Sequence, residues 1–240
     1  MFKQLQIFVA VLLLSCNTYA IPTLQLDIAG GTYIGGEESS VITNANEFTL
    51  YAYGNPNDTS RGRGNVTTAD MLSTEYLLSI ALSPQVSDLS GLTGSDIVVN
   101  GTSYDISRSF TYGTPPLDAT ANPLLGRHGI YDTYYMELSF FFDSAMTATL
   151  INTQDVGGMG PDTSGSDMFY IPFTIDMSGL AENYGLHFDL YNIDLKRGDL
   201  VRGDFAPFSH DAGTNVPEPS SLALLGIGLI GLSLIKRRKI

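Results

Sequence analysis

The feature that most constrains the fold of this chain is an alternation of apolar and polar residues, repeated in run after run. Leu24, Leu26 and Ile28 alternate with Gln25 and Asp27, and Phe48, Leu50 and Ala52 with Thr49, Tyr51 and Tyr53. Tyr76, Leu78, Ile80 and Leu82 form one face of the next run. Tyr134, Met136, Leu138, Phe140 and Phe142 oppose Thr133, Tyr135, Glu137, Ser139 and Asp143. Phe169, Ile171, Phe173, Ile175 and Met177 oppose Tyr170, Thr174 and Asp176, while Tyr184, Leu186, Phe188 and Leu190 oppose His187 and Asp189. Residues 97–106 add a β-branched run with Gly101 at a bulge or turn. A period of two places each apolar set on one face of a strand, and no 3.6-residue period is sustained anywhere between the ends. Seven or more such strands broken by Gly, Asn, Asp, Pro and Ser predict an all-β domain, an antiparallel β-sandwich, over residues 21–215. One short helical turn is expected at 67–73, long polar connections at 54–69, 107–129 and 155–167, and a linker over 206–215.

The two ends follow a different pattern. Lys3, an apolar stretch from Leu5 to Leu14 broken only by Gln6, and small residues at Thr18 and Ala20 make a secretory signal. Cleavage is expected between Ala20 and Ile21. Leu13, Leu14, Ser15 and Cys16 also loosely match a bacterial lipobox, so lipidation of Cys16 stands as a second export reading. Cys16 is the sole cysteine, which excludes a disulfide scaffold. At the other end Val216, Pro217, Glu218 and Pro219 precede an apolar run over 222–235 and then Lys236, Arg237, Arg238 and Lys239. The prolines keep a short segment extended and open to a processing enzyme. The basic cluster stays cytoplasmic by the positive-inside rule. At about 1.5 Å per residue this run covers roughly 21 Å, short of a ~30 Å hydrocarbon core. A short, glycine-bearing transmembrane helix of this kind suits a temporary anchor.

Charge narrows the partners. The whole chain carries −13, yet seven of its 12 basic residues and 24 of its 25 acidic ones lie in 21–215. The exported part is therefore more acidic than the chain, which excludes a general nucleic-acid binder.

The C-terminal pattern closely resembles the PEP-CTERM sorting tail of Gram-negative bacteria. That resemblance implies recognition by an exosortase, a membrane transpeptidase, an inner-membrane intermediate, and then the cell surface or extracellular matrix, commonly with exopolysaccharide or biofilm. Residues 24–33, reading Leu-Gln-Leu-Asp-Ile-Ala-Gly-Gly-Thr-Tyr, and 48–52, reading Phe-Thr-Leu-Tyr-Ala, resemble the start of the choice-of-anchor N proteins, a group that pairs one ectodomain with different sorting tails.

Candidate chemistry is sparse. Ser209, His210 and Asp211 are adjacent, whereas a working triad converges from separate elements. His187 reads as a surface residue on a polar strand face, and His128 has no metal-ligand spacing with the other two. Asp155, Asp162 and Asp167, with four glycines between them, are the candidate calcium site, because Ca²⁺ takes carboxylate and carbonyl oxygens that glycines help to present. Arg197-Gly198-Asp199 and Arg202-Gly203-Asp204 read as two polar turns, and three Asn-x-Thr sites (Asn57, Asn65, Asn100) match an N-glycosylation pattern that presupposes a eukaryotic secretory route, which the tail contradicts. Tyr51, Tyr53, Tyr131, Tyr134 and Tyr135 could stack on sugar rings if exposed, although the chain has no tryptophan. The expectation is a non-enzymatic surface or matrix protein with no cofactor other than a candidate calcium ion. A secreted polysaccharide hydrolase is the alternative, which requires two carboxylates converging in a concave pocket.

Overall fold

The computed structural model describes residues 23–35, 40–56, 67–115, 131–196, 199–205 and 211–214; for 193–196 and 199–205 it describes the backbone alone. The strands are β1 Leu24–Ile28, β2 Thr32–Ile34, β3 Ser40–Thr43, β4 Glu47–Gly54, β5 Tyr76–Ser83, β6 Asp96–Val99 and β7 Thr102–Asp105. They continue with β8 Thr111–Gly113, β9 Thr133–Phe140, β10 Thr147–Ala148, β11 Met168–Asp176, β12 Gly185–Lys196, β13 Asp199–Phe205 and β14 Asp211–Thr214. Short helices α1 Thr68–Ser73, α2 Ile106–Ser109 and α3 Thr153–Val156 interrupt them.

Two sheets result. The first runs β1-β4-β11-β6-β7, with β10 also on β11; the second runs β2-β3-β14-β12-β5-β9-β8, with β13 also on β12. The alternation explains how they meet. Leu24, Leu26, Ile28, Leu50, Ala52, Phe173, Ile175, Ile97 and Val99 of the first sheet share one buried cluster with Leu78, Ile80, Leu82, Met136, Leu186, Phe188 and Leu190 of the second. These are the apolar faces that the period of two predicts, packed as a sandwich. The β6–β7 hairpin turns at Asn100-Gly101, both at positive φ (50° and 78°), the pairing that a two-residue hairpin turn requires. The helical turn expected at 67–73 is α1, whose Thr67 cap forms a reciprocal capping box with Asp70.

Three expectations are corrected. The sandwich is not purely antiparallel, because β14 pairs with β3 in parallel register. Residues 211–214 are therefore a strand, seated between β3 and β12, and not part of a linker. The second Arg-Gly-Asp, 202–204, lies within β13 opposite 192–194 and not in a turn; residues 197 and 198 of the first lie outside the described residues. The signal segment 1–20 and the tail from 215 onward also lie outside them, as do His128, Ser209 and His210. Among the described residues no helix is long and apolar enough to cross a membrane.

Candidate functional site

The polar faces of the two sheets are unlike each other. On the first sheet, the polar face of β1 and β4 is covered. Gln25 donates to the Ile151 carbonyl (3.0 Å) and accepts from the Thr153 amide (3.0 Å). The Asp27 carboxylate accepts from the amides of Gly158 (2.6 Å), Gly160 (3.0 Å) and Ile28 (2.9 Å). Both side chains are fully buried. Burial pushes the Asp27 carboxyl above its ordinary value, and the three amides pull it part of the way back. Gly158 makes the loop's close approach possible: at φ +90°, a Cβ there would stand 2.1 Å from the Gly31 carbonyl oxygen.

The same segment packs over two of the tyrosines that are candidates for sugar stacking if exposed. Tyr53, Ala148 and Met168 form a second buried cluster, with Tyr51, Ile151 and Tyr170 packed against it. The Tyr53 hydroxyl is buried without a hydrogen-bond partner, and desolvation raises its pKa. Tyr134 instead forms an edge-to-face pair with Tyr112 at 5.3 Å, and Tyr112 is 46% exposed. That pair, at the β8 edge, and the exposed Phe141 are aromatic surfaces among the described residues.

Asp155, Asp162 and Asp167 fall on this covering segment, but the structure does not draw them to one point. Asp155 is on α3. Asp162 is exposed and accepts from the Ser164 amide (3.0 Å), contacts with Ser164 that hold its carboxyl below the usual range. The Asp167 amide donates to the Ala148 carbonyl (2.9 Å). Two glycines of the segment, Gly158 and Gly160, turn their amides to Asp27 instead.

Farther along the same face, Glu47, Phe48, Thr49, Val98, Thr174, Ile175 and Asp176 line an open groove of about 410 Å³. Asp176 stands opposite Glu47, and Thr174 opposite Thr49. Asn100 accepts from the Thr174 amide (2.8 Å) and so ties the β6–β7 turn to the groove. Asp176 accepts from the Ser178 amide (2.8 Å) and hydroxyl (2.5 Å), which lowers its proton affinity.

On the second sheet His187, Asp189 and Asp211 converge. Among the described residues they are the group of three metal-capable side chains whose ligand atoms all lie within 4.8 Å of one another. His187 Nε2 is 3.4 Å from Asp189 Oδ1 and 4.0 Å from Asp211 Oδ2. His187 lies on the polar strand face as expected, but it is not a surface residue. Its side chain is 20% exposed, between two aspartates that are fully buried. Alternation places His187 and Asp189 on one face; Asp211 joins them only through the pairing of β14 with β12, which no local pattern in residues 206–215 reveals. On the same sheet the Tyr191 hydroxyl donates to Glu137, and burial raises the pKa of both.

Comparisons with known proteins bear on the tail. Residues 215–239 match the PEP-CTERM protein-sorting motif. No curated protein matches the chain. Among solved structures, the C-terminal domain of the Streptococcus pyogenes antigen I/II-family protein AspA is similar at a TM-score of 0.31 and 12% identity. The alignment covers 83% of this chain and 53% of that one, so the chain spans about half that structure's length. A likeness at this level supports no inference about fold or function. The chain thus joins a β-rich domain to a PEP-CTERM motif, which marks it for exosortase-dependent sorting to the cell surface.

Proposed function

We propose that this protein is a non-enzymatic component of the cell surface or extracellular matrix, sorted there by an exosortase and in contact with exopolysaccharide. The observation that carries the reading is the sorting motif at 215–239 attached to a β-sandwich. In this account residues 1–20 direct export, the segment 222–235 holds the chain in the inner membrane, and processing near Pro219 releases it. The likeness of residues 24–33 and 48–52 to choice-of-anchor N proteins agrees with that location.

The groove supports a binding role. It is open, its threonine and carboxylate oxygens suit sugar hydroxyls, and Asp176 is held ionised by Ser178. A general acid needs the opposite shift, toward a raised pKa. The exposed Tyr112 ring adds a stacking surface. With an acidic exported part, contact with an acidic polymer is weak and multivalent. The test is binding of the exported protein to immobilised host exopolysaccharide. Saturable binding weakened by Thr49→Ala with Thr174→Ala, or by Tyr112→Ala, is the expected result. Absence of binding to any host polymer would remove the polysaccharide part of the reading.

One observation favours the alternative, a secreted polysaccharide hydrolase. Glu47 and Asp176 face each other across neighbouring strands in the groove, a placement that puts Cβ atoms about 5 Å apart. Hydrolysis of a glycoside panel that Glu47→Gln or Asp176→Asn abolishes would establish that reading; background turnover is expected.

A further inference from the structure

We propose that His187, Asp189 and Asp211 bind a divalent cation of the zinc–manganese class, which fastens β14, the strand immediately before the sorting motif, to β12. The argument begins with register. His187 pairs with Gly213 and Phe188 with Ala212, so the next position sets Asp189 opposite Asp211. Like charges directly opposite on adjacent strands are unfavourable, and burial makes them more so. Both aspartates are fully buried, and His187 Nε2 faces both carboxylates. The three ligand atoms lie within 4.8 Å of one another. Around a cation with bonds of about 2.0–2.2 Å they would stand ~3.5 Å apart, a rotamer-scale adjustment.

A second observation comes from β5. Ser79 stands opposite Asp189 in register, and its buried hydroxyl has no hydrogen-bond partner. A buried hydroxyl left so is costly, and a hydrated cation beside Asp189 supplies the missing partner. Donor chemistry selects the ion. Ca²⁺ and Mg²⁺ take oxygen, whereas an imidazole nitrogen with two carboxylates suits zinc or manganese. This site is separate from the segment of Asp155, Asp162 and Asp167. Its position also matters: β14 carries the mechanical link between the domain and the tail, and among the described residues it pairs with β12 at two positions. A cation bridging the two strands reinforces that short contact.

The test uses the exported protein recovered from its host, stripped with a chelator and titrated with ZnCl₂, MnCl₂, CaCl₂ or MgCl₂ by calorimetry and thermal melting. Zinc or manganese should bind at one equivalent and raise the Tm by roughly 5–10 °C at a hundredfold excess over Kd, reversibly with EDTA. His187→Ala should weaken binding at least tenfold. Asp189→Asn with Asp211→Asn should abolish it. Asp155→Asn should change nothing. Lack of saturable binding by the parent, or binding that survives the double variant, would overturn the proposal. If the double variant does not fold, the parent titration and His187→Ala decide it.

Discussion

Asp27 shows how a single polar side chain can organise a face of this domain. Alternation identifies it as pointing away from the core, and it does. What alternation does not reveal is the segment that returns 131 residues later to cover it. That information resides in Gly158, whose positive φ and contact with Gly31 permit the approach, and glycines are common in any loop. The carboxylate satisfies three amides, so Asp27→Ala strands buried donors. The expected cost is about 3 kcal/mol, read as a lower denaturation midpoint, with faster hydrogen exchange at the Gly158 and Gly160 amides. The sign of its pH dependence follows from its raised pKa. Between the ordinary carboxylate value and the raised one, the folded state binds more protons than the unfolded state. Asp27 therefore opposes folding increasingly as pH rises through that window and favours it as pH falls. Glu137, also raised by burial, contributes with the same sign. Subtracting the parent's melting temperature from that of Asp27→Asn across pH 3.5–7 should give a difference that rises with pH; a difference independent of pH would remove Asp27 from the account.

At the scale of elements, the strands that alternate cleanly were legible and the ones that do not were missed. β5, β9, β11 and β12 are long and follow the period of two. β13 and β14 read Asp-Leu-Val-Arg-Gly-Asp-Phe and Asp-Ala-Gly-Thr, rich in residues with low strand propensity. Their pairing comes from neighbours already placed, and a local pattern does not carry it. The same distinction predicts unequal cost for two phenylalanines. Phe173 is buried in the sandwich, so Phe173→Ala should cost about 3–5 kcal/mol. Phe140, at the end of β9, is half-buried against Tyr76 and Phe142, so Phe140→Ala should cost less than half of that. Urea unfolding of both variants checks the order; a reversed order would mean the β9 register is wrong. Gly158→Ala should cost about 2–3 kcal/mol through backbone strain, concentrated in the covering loop.

For the whole molecule, composition and the two ends pointed to export and a β-sandwich, and the motif at 215–239 agrees with the first as the two sheets do with the second. Strand order was not legible, because pairing such as β14 with β3 joins residues 40–43 to 211–214 and leaves no local trace. The His187, Asp189 and Asp211 cluster was hidden for the same reason: its third member arrives from the far end of the chain. The central claim is that this domain is delivered to the surface and cut from its tail on the way. Fractionation of the host, followed by mass spectrometry of the termini of the surface-associated protein, tests that claim most directly. The account predicts a chain that starts at Ile21 and ends near Pro219, without the membrane segment. Recovery of a surface protein that still carries Lys236, Arg237, Arg238 and Lys239 would contradict it.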